Sequence, residues 1–142
     1  QAQLNLFENG PVDELFPHVR EASMGFMSWG TLDKGILTGR VNQERKFDKV
    51  DVRSHAPWWT SADRGPRYKA MESIVPRLEN AGHSGLELAL SHVLAHPEVS
   101  TALCGVRNRK QLETACAAAN NLVSGALLQE IRGIANKIPS AA

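Results

Sequence analysis

A chain of 142 residues, 42% hydrophobic and 22% charged, is long enough to fold as one domain around one core. Its 16 basic and 15 acidic residues leave a formal charge of +1, which gives no electrostatic case for binding nucleic acid or an anionic membrane surface. Cys104 and Cys116 lie in apolar surroundings and form no CxxC pattern, no apolar run approaches the roughly 20 residues of a spanning helix, and no charged-then-apolar leader opens the chain, so a cytoplasmic protein without disulfides, metal or membrane anchor is expected.

Gln1 to Leu6 alternates like a short strand and runs into the turn Asn9-Gly10-Pro11. The chain opens on Gln1, already inside a strand pattern, which suggests a segment taken from something longer. A helix is expected next, with Asp13 and Glu14 at its start, Leu15, Phe16 and Val19 on its apolar face, and Pro17 near its first turn. Gly25 to Trp29 has the length and composition of a buried strand, so strand, helix and strand suggest a parallel βαβ unit.

Gly30 to Arg40 is rich in glycine, and Val41 to Arg67 is polar and punctuated by Pro57 and Pro66. Together they predict a long loop of the kind that is functional in compact domains, with Trp58-Trp59 arguing against disorder. Tyr68, Met71, Val75 and Leu78 are spaced for a helix over 67–79, ended by Asn80-Ala81-Gly82. Ser84-Gly-Leu-Glu87 is a capping-box pattern opening a helix whose stripe is Leu86, Ala89, Leu90, Val93 and Leu94, stopped at His96-Pro97. Val99 to Val106 reads as a third strand, Asn108 as the cap of a helix to about Asn120, and Ser124 as the start of an amphipathic helix carrying Leu127, Leu128, Ile131 and Ile134.

Three segments resemble one family, the aldo-keto reductases. Gln1-Ala-Gln-Leu-Asn-Leu6 is similar to that family's sixth-strand pattern Gln-x-x-Tyr-Asn-Leu. Gly25-Phe-Met-Ser-Trp-Gly-Thr-Leu-Asp-Lys-Gly-Ile-Leu-Thr-Gly-Arg40 is similar to the seventh, and Thr101-Ala-Leu-Cys-Gly-Val-Arg-Asn-Arg-Lys-Gln-Leu-Glu113 to the eighth. Asp51-Val-Arg-Ser-His-Ala-Pro-Trp-Trp59 also resembles the family's segment before its seventh helix. The resemblance implies an α/β chain forming the C-terminal part of a (β/α)8 TIM barrel: about three βα units plus extra helices, with residues 1–142 as an incomplete cofactor-binding half. In such barrels ligands bind at the C-terminal ends of the strands.

What it implies for single residues is NADPH binding. Gln1 would bond the nicotinamide carboxamide, and Trp29 would stack under the nicotinamide ring. Gly30, Leu32, Lys34 and the stretch to Arg40 would hold the pyrophosphate, where glycines admit backbone N–H groups and a cation neutralises charge. Gly105, at the end of the third strand, would belong to the same cofactor-binding set. Arg107 would pair with the 2′-phosphate, with Asn108 and Gln111 assisting at a helix N-terminus. Trp58 and Trp59 would wall a carbonyl pocket. Plain structural readings stand beside these: a strand residue for Gln1, core for Trp29, a solvated arginine for Arg107, and a hydrophobic anchor for the tryptophan pair.

Departures from the family pattern fall at Leu4, Gly30-Thr31, Cys104 and Thr114-Ala115, the last placing the adenine end in doubt. Cys104 reads as a buried inert thiol. The family's tyrosine, lysine, aspartate and histidine catalysts belong to its first half and have no counterpart here. Tyr68 reads as packing, and His18, His55, His83, His92 and His96 match no family position. Two functions follow: part of an NADPH-dependent reductase of aldehydes or ketones, or a non-catalytic half-barrel that associates with itself or with a partner chain through its sheet edges.

Overall fold

The computed structural model describes residues 1–138, so residues 139–142, the end of the domain read from the sequence, lie outside it. Three short strands, β1 (Ala2–Gln3), β2 (Phe26–Trp29) and β3 (Val99–Ala102), form one parallel sheet in the order β1-β2-β3. The expected strands over 1–6 and 99–106 are both cut short. Beyond Leu4, Asn5 takes the backbone out of the ladder: its Oδ1 accepts from Phe7 N at 2.9 Å, and its Nδ2 donates to Gly30 O at 2.9 Å. A side chain that satisfies nearby backbone offers the chain an alternative to further pairing. After Ala102, one more ladder bond forms, Leu103 N to Ser28 O at 2.8 Å, and the chain turns away.

The helices follow the predicted order with revised bounds. Asn9-Gly10-Pro11 opens α1 (Gly10–Glu14) rather than a free turn, with Pro11 in the first turn, where its missing N–H costs no helical bond. Pro17 splits the expected single helix, and α2 (Phe16–Glu21) begins afresh. The long loop carries a 3₁₀ turn at Val52–Ser54 and a short helix, α3 (Pro57–Thr60). α4 (Gly65–Asn80) starts two residues earlier than predicted and accommodates Pro76.

α5 (Gly85–Leu94) has both bonds of the predicted capping box, Glu87 N to Ser84 Oγ at 3.3 Å and Ser84 N to Glu87 Oε2 at 2.7 Å. Leu88, absent from the predicted stripe, is fully buried, because α5 serves two cores and has little free face. α6 (Arg109–Ala119) and α7 (Gly125–Ala135) are capped by Asn108 and Ser124 as predicted.

One small cluster, Leu4, Phe16, Phe26 and Val93, lies between sheet and helices. A larger one gathers Leu6, Ile36 and Leu37 with Trp59, Met71, Ile74 and Leu78 of α3 and α4, Leu88 of α5, and Leu128 and Ile131 of α7. Burying each such aliphatic side chain stabilises the fold by about 1.5–3 kcal/mol.

Successive strand side chains point to opposite faces. In β2, Phe26 and Ser28 are buried under the helices, while Met27 and Trp29 are 42% and 43% exposed, and Leu103, just past the end of β3, is 41% exposed. The expectation of a fully buried second strand is thus corrected: helices cover one face, and the other is open among the described residues. A doubly wound sheet would carry helices on both faces, so one-sided cover in consecutive strand order is the geometry of a barrel sector.

Candidate functional site

The segment after β2 is built from unusual backbone. Gly30 has φ +66° and Gly35 φ +102°, a region that disfavours a Cβ, and between them Asp33 and Lys34 adopt φ 45° and 54° despite having side chains. Such residues persist where surrounding contacts hold them. Here the holder is an ion network: Arg67 Nη1 donates to Asp33 Oδ2 at 2.9 Å and Nη2 bonds Glu8, with the Arg67 and Asp33 side chains 6% and 1% exposed. One guanidinium from α4 therefore ties the loop after β1 to the loop after β2. Lys34 Nζ lies 3.9 Å from Asp33 Oδ1 and 6.0 Å from the centroid of the Trp58 ring, which joins a predicted phosphate ligand to a predicted pocket wall.

Trp29 stands on the open face at the C-terminal end of β2. The register aligns Gln3 with Trp29, so Gln1 lies across from Met27, one layer and about 6.6 Å below Trp29. Gln3 also leans over Gly30: a Cβ there would sit 3.1 Å from Gln3 Cγ. Leu32 is half-buried against the larger core, while Arg40, Gly105 and Gln1 are exposed.

At the other arm, the predicted phosphate cluster is largely engaged with the chain itself. Asn108 Oδ1 accepts from Gln111 N at 2.9 Å and Gln111 Oε1 accepts from Arg107 N at 2.8 Å, so both side chains build the start of α6. The first-turn amides of Arg109 and Lys110 remain without intrahelical acceptors, as at any helix start. Arg109 pairs with Glu113 at 2.6 Å on the surface. Arg107, whose side chain is 72% exposed, donates through Nη2 to Asp51 Oδ2 at 2.8 Å. Asp51 also holds Arg53, whose Nη1 reaches Lys34 O at 2.5 Å. Bonds from Arg53 and then Arg107 keep the Asp51 carboxyl far below the usual carboxylate range. The sequence reading missed this clasp and the Arg67 network, because their partners lie 56, 34 and 59 residues apart and no local pattern links them.

The two tryptophans part company. Trp59 is 8% exposed, packs in the larger core and lies under the Arg64 guanidinium at 3.8 Å, so it anchors the long loop; Trp58 is 51% exposed. Beside them a cleft of about 690 Å³ is lined by Phe47, Trp59 and Tyr68 with Lys46, Arg53 and Arg64. Burial pushes the Tyr68 hydroxyl above its ordinary pKa despite the nearby Arg64 charge.

His92 is buried, bonded through Nε2 to Asn9 Oδ1 at 2.9 Å and accepting from Arg132 at Nδ1; burial and the Arg132 charge push its pKa down to about 3. Cys104 is half-buried, with its thiol pKa raised by burial, whereas Cys116 is exposed on α6 and not in apolar surroundings. Among the described residues no group of three or more His, Cys, Asp or Glu is placed to hold a metal ion, and no helix is long and apolar enough to cross a membrane.

Consecutive parallel strands, one-sided helical cover and loops gathered at the strands' C-terminal ends define the C-terminal part of a (β/α)8 barrel. Solved barrels agree. The glycerol dehydrogenase AKR11B4 from Gluconobacter oxydans superposes with TM-score 0.78 at 25% identity, covering 95% of this chain and 41% of its own. The aldo-keto reductase AKR11C1 from Bacillus halodurans (apo form) matches in fold, with TM-score 0.67 at 21% identity over 96% of this chain and 43% of its own. The sequence model of the Aldo/keto reductase family matches residues 1–136, and the aldo-keto reductase YhdN of Bacillus subtilis (strain 168) is 31% identical over 118 residues, 80% of this chain. The chain belongs to the aldo/keto reductase family. It spans 34% of the length of YhdN.

Proposed function

We propose that residues 1–142 are the cofactor-binding second half of a reductase that uses NADPH to reduce aldehydes or ketones, working in the cytoplasm with the strands of a first half-barrel. The observation that carries this reading is Trp29: a large aromatic ring left open at the C-terminal end of its strand, beside a glycine-rich loop with Lys34 and next to β3, the strand that leads into α6. These residues suit a dinucleotide. Trp29 offers a face for the nicotinamide ring, Gln1 an amide for its carboxamide, Gly30, Leu32, Lys34 and Arg40 a phosphate-holding loop, and the turn from Gly105 through Arg107, Asn108 and Gln111 an anion site at a helix start. NADPH, when bound, would supply the hydride. The chain's own residues bind and orient it, and Trp58, with Lys34 beside it, would face the carbonyl substrate while Trp59 holds the loop in place.

The carbonyl also needs a proton donor within hydrogen-bond reach. Tyr68 is part-buried in the cleft with a raised pKa, and His92 is bonded on both nitrogens, so no residue is assigned that role. The open sheet face with Met27, Trp29 and Leu103 favours the second reading as well, a half-barrel that binds a partner chain or itself without catalysis. Titration of the folded chain with NADPH, followed by tryptophan fluorescence beside a carbonyl-reduction assay, separates the two. Saturable quenching is expected. Folded protein that shows no binding removes the cofactor reading, and light scattering that finds a stable monomer removes self-association.

A further inference from the structure

The cleft of about 690 Å³ is lined by the long loop and the first turn of α4, and it shares no residue with the set proposed for the cofactor. Three cations line it, Lys46, Arg53 and Arg64, against one carboxylate, Asp63, whose Oδ1 already accepts from Gly65 N at 2.9 Å. Its apolar wall is aromatic. Phe47 and Trp59 meet edge to face with ring centroids 5.7 Å apart, and Tyr68 belongs to the same lining. The two guanidiniums brace this wall. Arg53 lies 4.1 Å from the Phe47 ring centroid and directs Nε, Nη1 and Nη2 to Asp51 and the Lys34 carbonyl. Arg64 lies 3.8 Å from the Trp59 centroid and donates to the carbonyls of Trp58, Trp59 and Ala62. Asp51 offsets the charge of Arg53, whereas carbonyl partners leave that of Arg64 uncompensated.

Other donors in the lining are free. Among the described residues the Lys46 ammonium, the Trp59 indole N–H and the Tyr68 hydroxyl have no acceptor, and none of them is sealed from solvent. Trp59 is the most informative, because it is only 8% exposed and polar atoms on side chains so buried are ordinarily partnered. Burial raises the Tyr68 pKa, so its hydroxyl is a donor at neutral pH. Donors without acceptors, uncompensated positive charge and an aromatic wall are the complement of an anion carried on a flat apolar body. Phosphate is best gripped by guanidinium forks, and both forks here are committed; a carboxylate is satisfied by single donors. We propose that this cleft is a binding site for an aromatic carboxylate, with its ring against Phe47 and Trp59 and its oxygens bonded by the free donors of Lys46, Trp59 and Tyr68. A cleft of this volume is in the range of small-ligand sites. The inference is independent of the cofactor reading.

The probe is 2-naphthoate, titrated into the full chain by calorimetry, with 2-naphthylmethanol as its neutral counterpart and inorganic phosphate as the anion alone. Saturable binding of 2-naphthoate with a Kd of about 1 mM or tighter is expected for a ligand of this size. The alcohol should bind at least about tenfold more weakly, the order of one charge-assisted hydrogen bond. Lys46→Glu, on the surface, and Tyr68→Phe, which loses one oxygen, should each weaken 2-naphthoate about fivefold while leaving the alcohol little changed. Far-UV circular dichroism establishes that each variant is folded, and should one fail to fold, the other decides. Folded wild-type protein that takes up no 2-naphthoate overturns the inference. Phosphate or the alcohol binding as tightly as 2-naphthoate overturns it too, since charge or apolar contact alone would then suffice. Unchanged affinity in the folded variants would put the probe elsewhere, and competitive displacement by NADPH would put it in the cofactor set; either result refutes the site.

Discussion

Replacing Arg67 by Met takes one cation out of a buried network and leaves its shape largely filled. Asp33 is then a buried carboxylate, 1% exposed, whose nearest cation is Lys34 at 3.9 Å with a side chain 29% exposed. Removing one partner of a buried pair costs about 3–5 kcal/mol. The lower end is expected, because Glu8, the other carboxylate of the network, is 18% exposed and can turn toward water. About 3 kcal/mol is a large share of the 5–15 kcal/mol that holds a typical domain together. Asp33→Asn/Arg67→Met removes the stranded charge as well, so its cost should fall short of the sum of the single changes by about 1–3 kcal/mol. Urea unfolding at pH 7, followed by circular dichroism and tryptophan fluorescence, gives these values once the two probes coincide. An Arg67→Met protein within about 0.5 kcal/mol of wild type, or strict additivity of the pair, would refute the view that this network holds the strained loop.

Acid should destabilise the fold through His92. With its folded pKa near 3 against 6.5 unfolded, the unfolded chain binds the extra proton, so stability is full above pH 6.5 and falls as pH drops toward 3. The loss should approach about 2 kcal/mol by pH 5, and His92→Gln should flatten it; an unchanged urea midpoint between pH 7 and 5 would contradict this. Gly85→Ala should cost about 2–3 kcal/mol, since its Cβ would lie 2.2 Å from the carbonyl of Leu37, and a melting temperature equal to wild type would show that α5 has room to shift. Arg107→Ala should weaken NADPH about tenfold and NADH far less; equal loss for both would reject contact with the 2′-phosphate.

Local chemistry was legible in the residues themselves. The capping box at Ser84 and Glu87, the caps Asn108 and Ser124, the order of strands and helices, and the three motif segments at strand ends all depend on neighbours within a few positions, so the sequence determined them. Strand lengths were less legible, because Asn5 closes β1 by bonding a loop 25 residues away. The sequence also determined that Trp29 ends a strand, but only the tertiary structure decided that its ring is open, since exposure depends on what covers the far face of the sheet. The same holds for the charged residues. Asp33 and Arg67, or Asp51 and Arg107, are ordinary surface residues until folding removes the water between them. Their meaning arises from distance in space, which a parallel βα chain sets through crossovers of tens of residues.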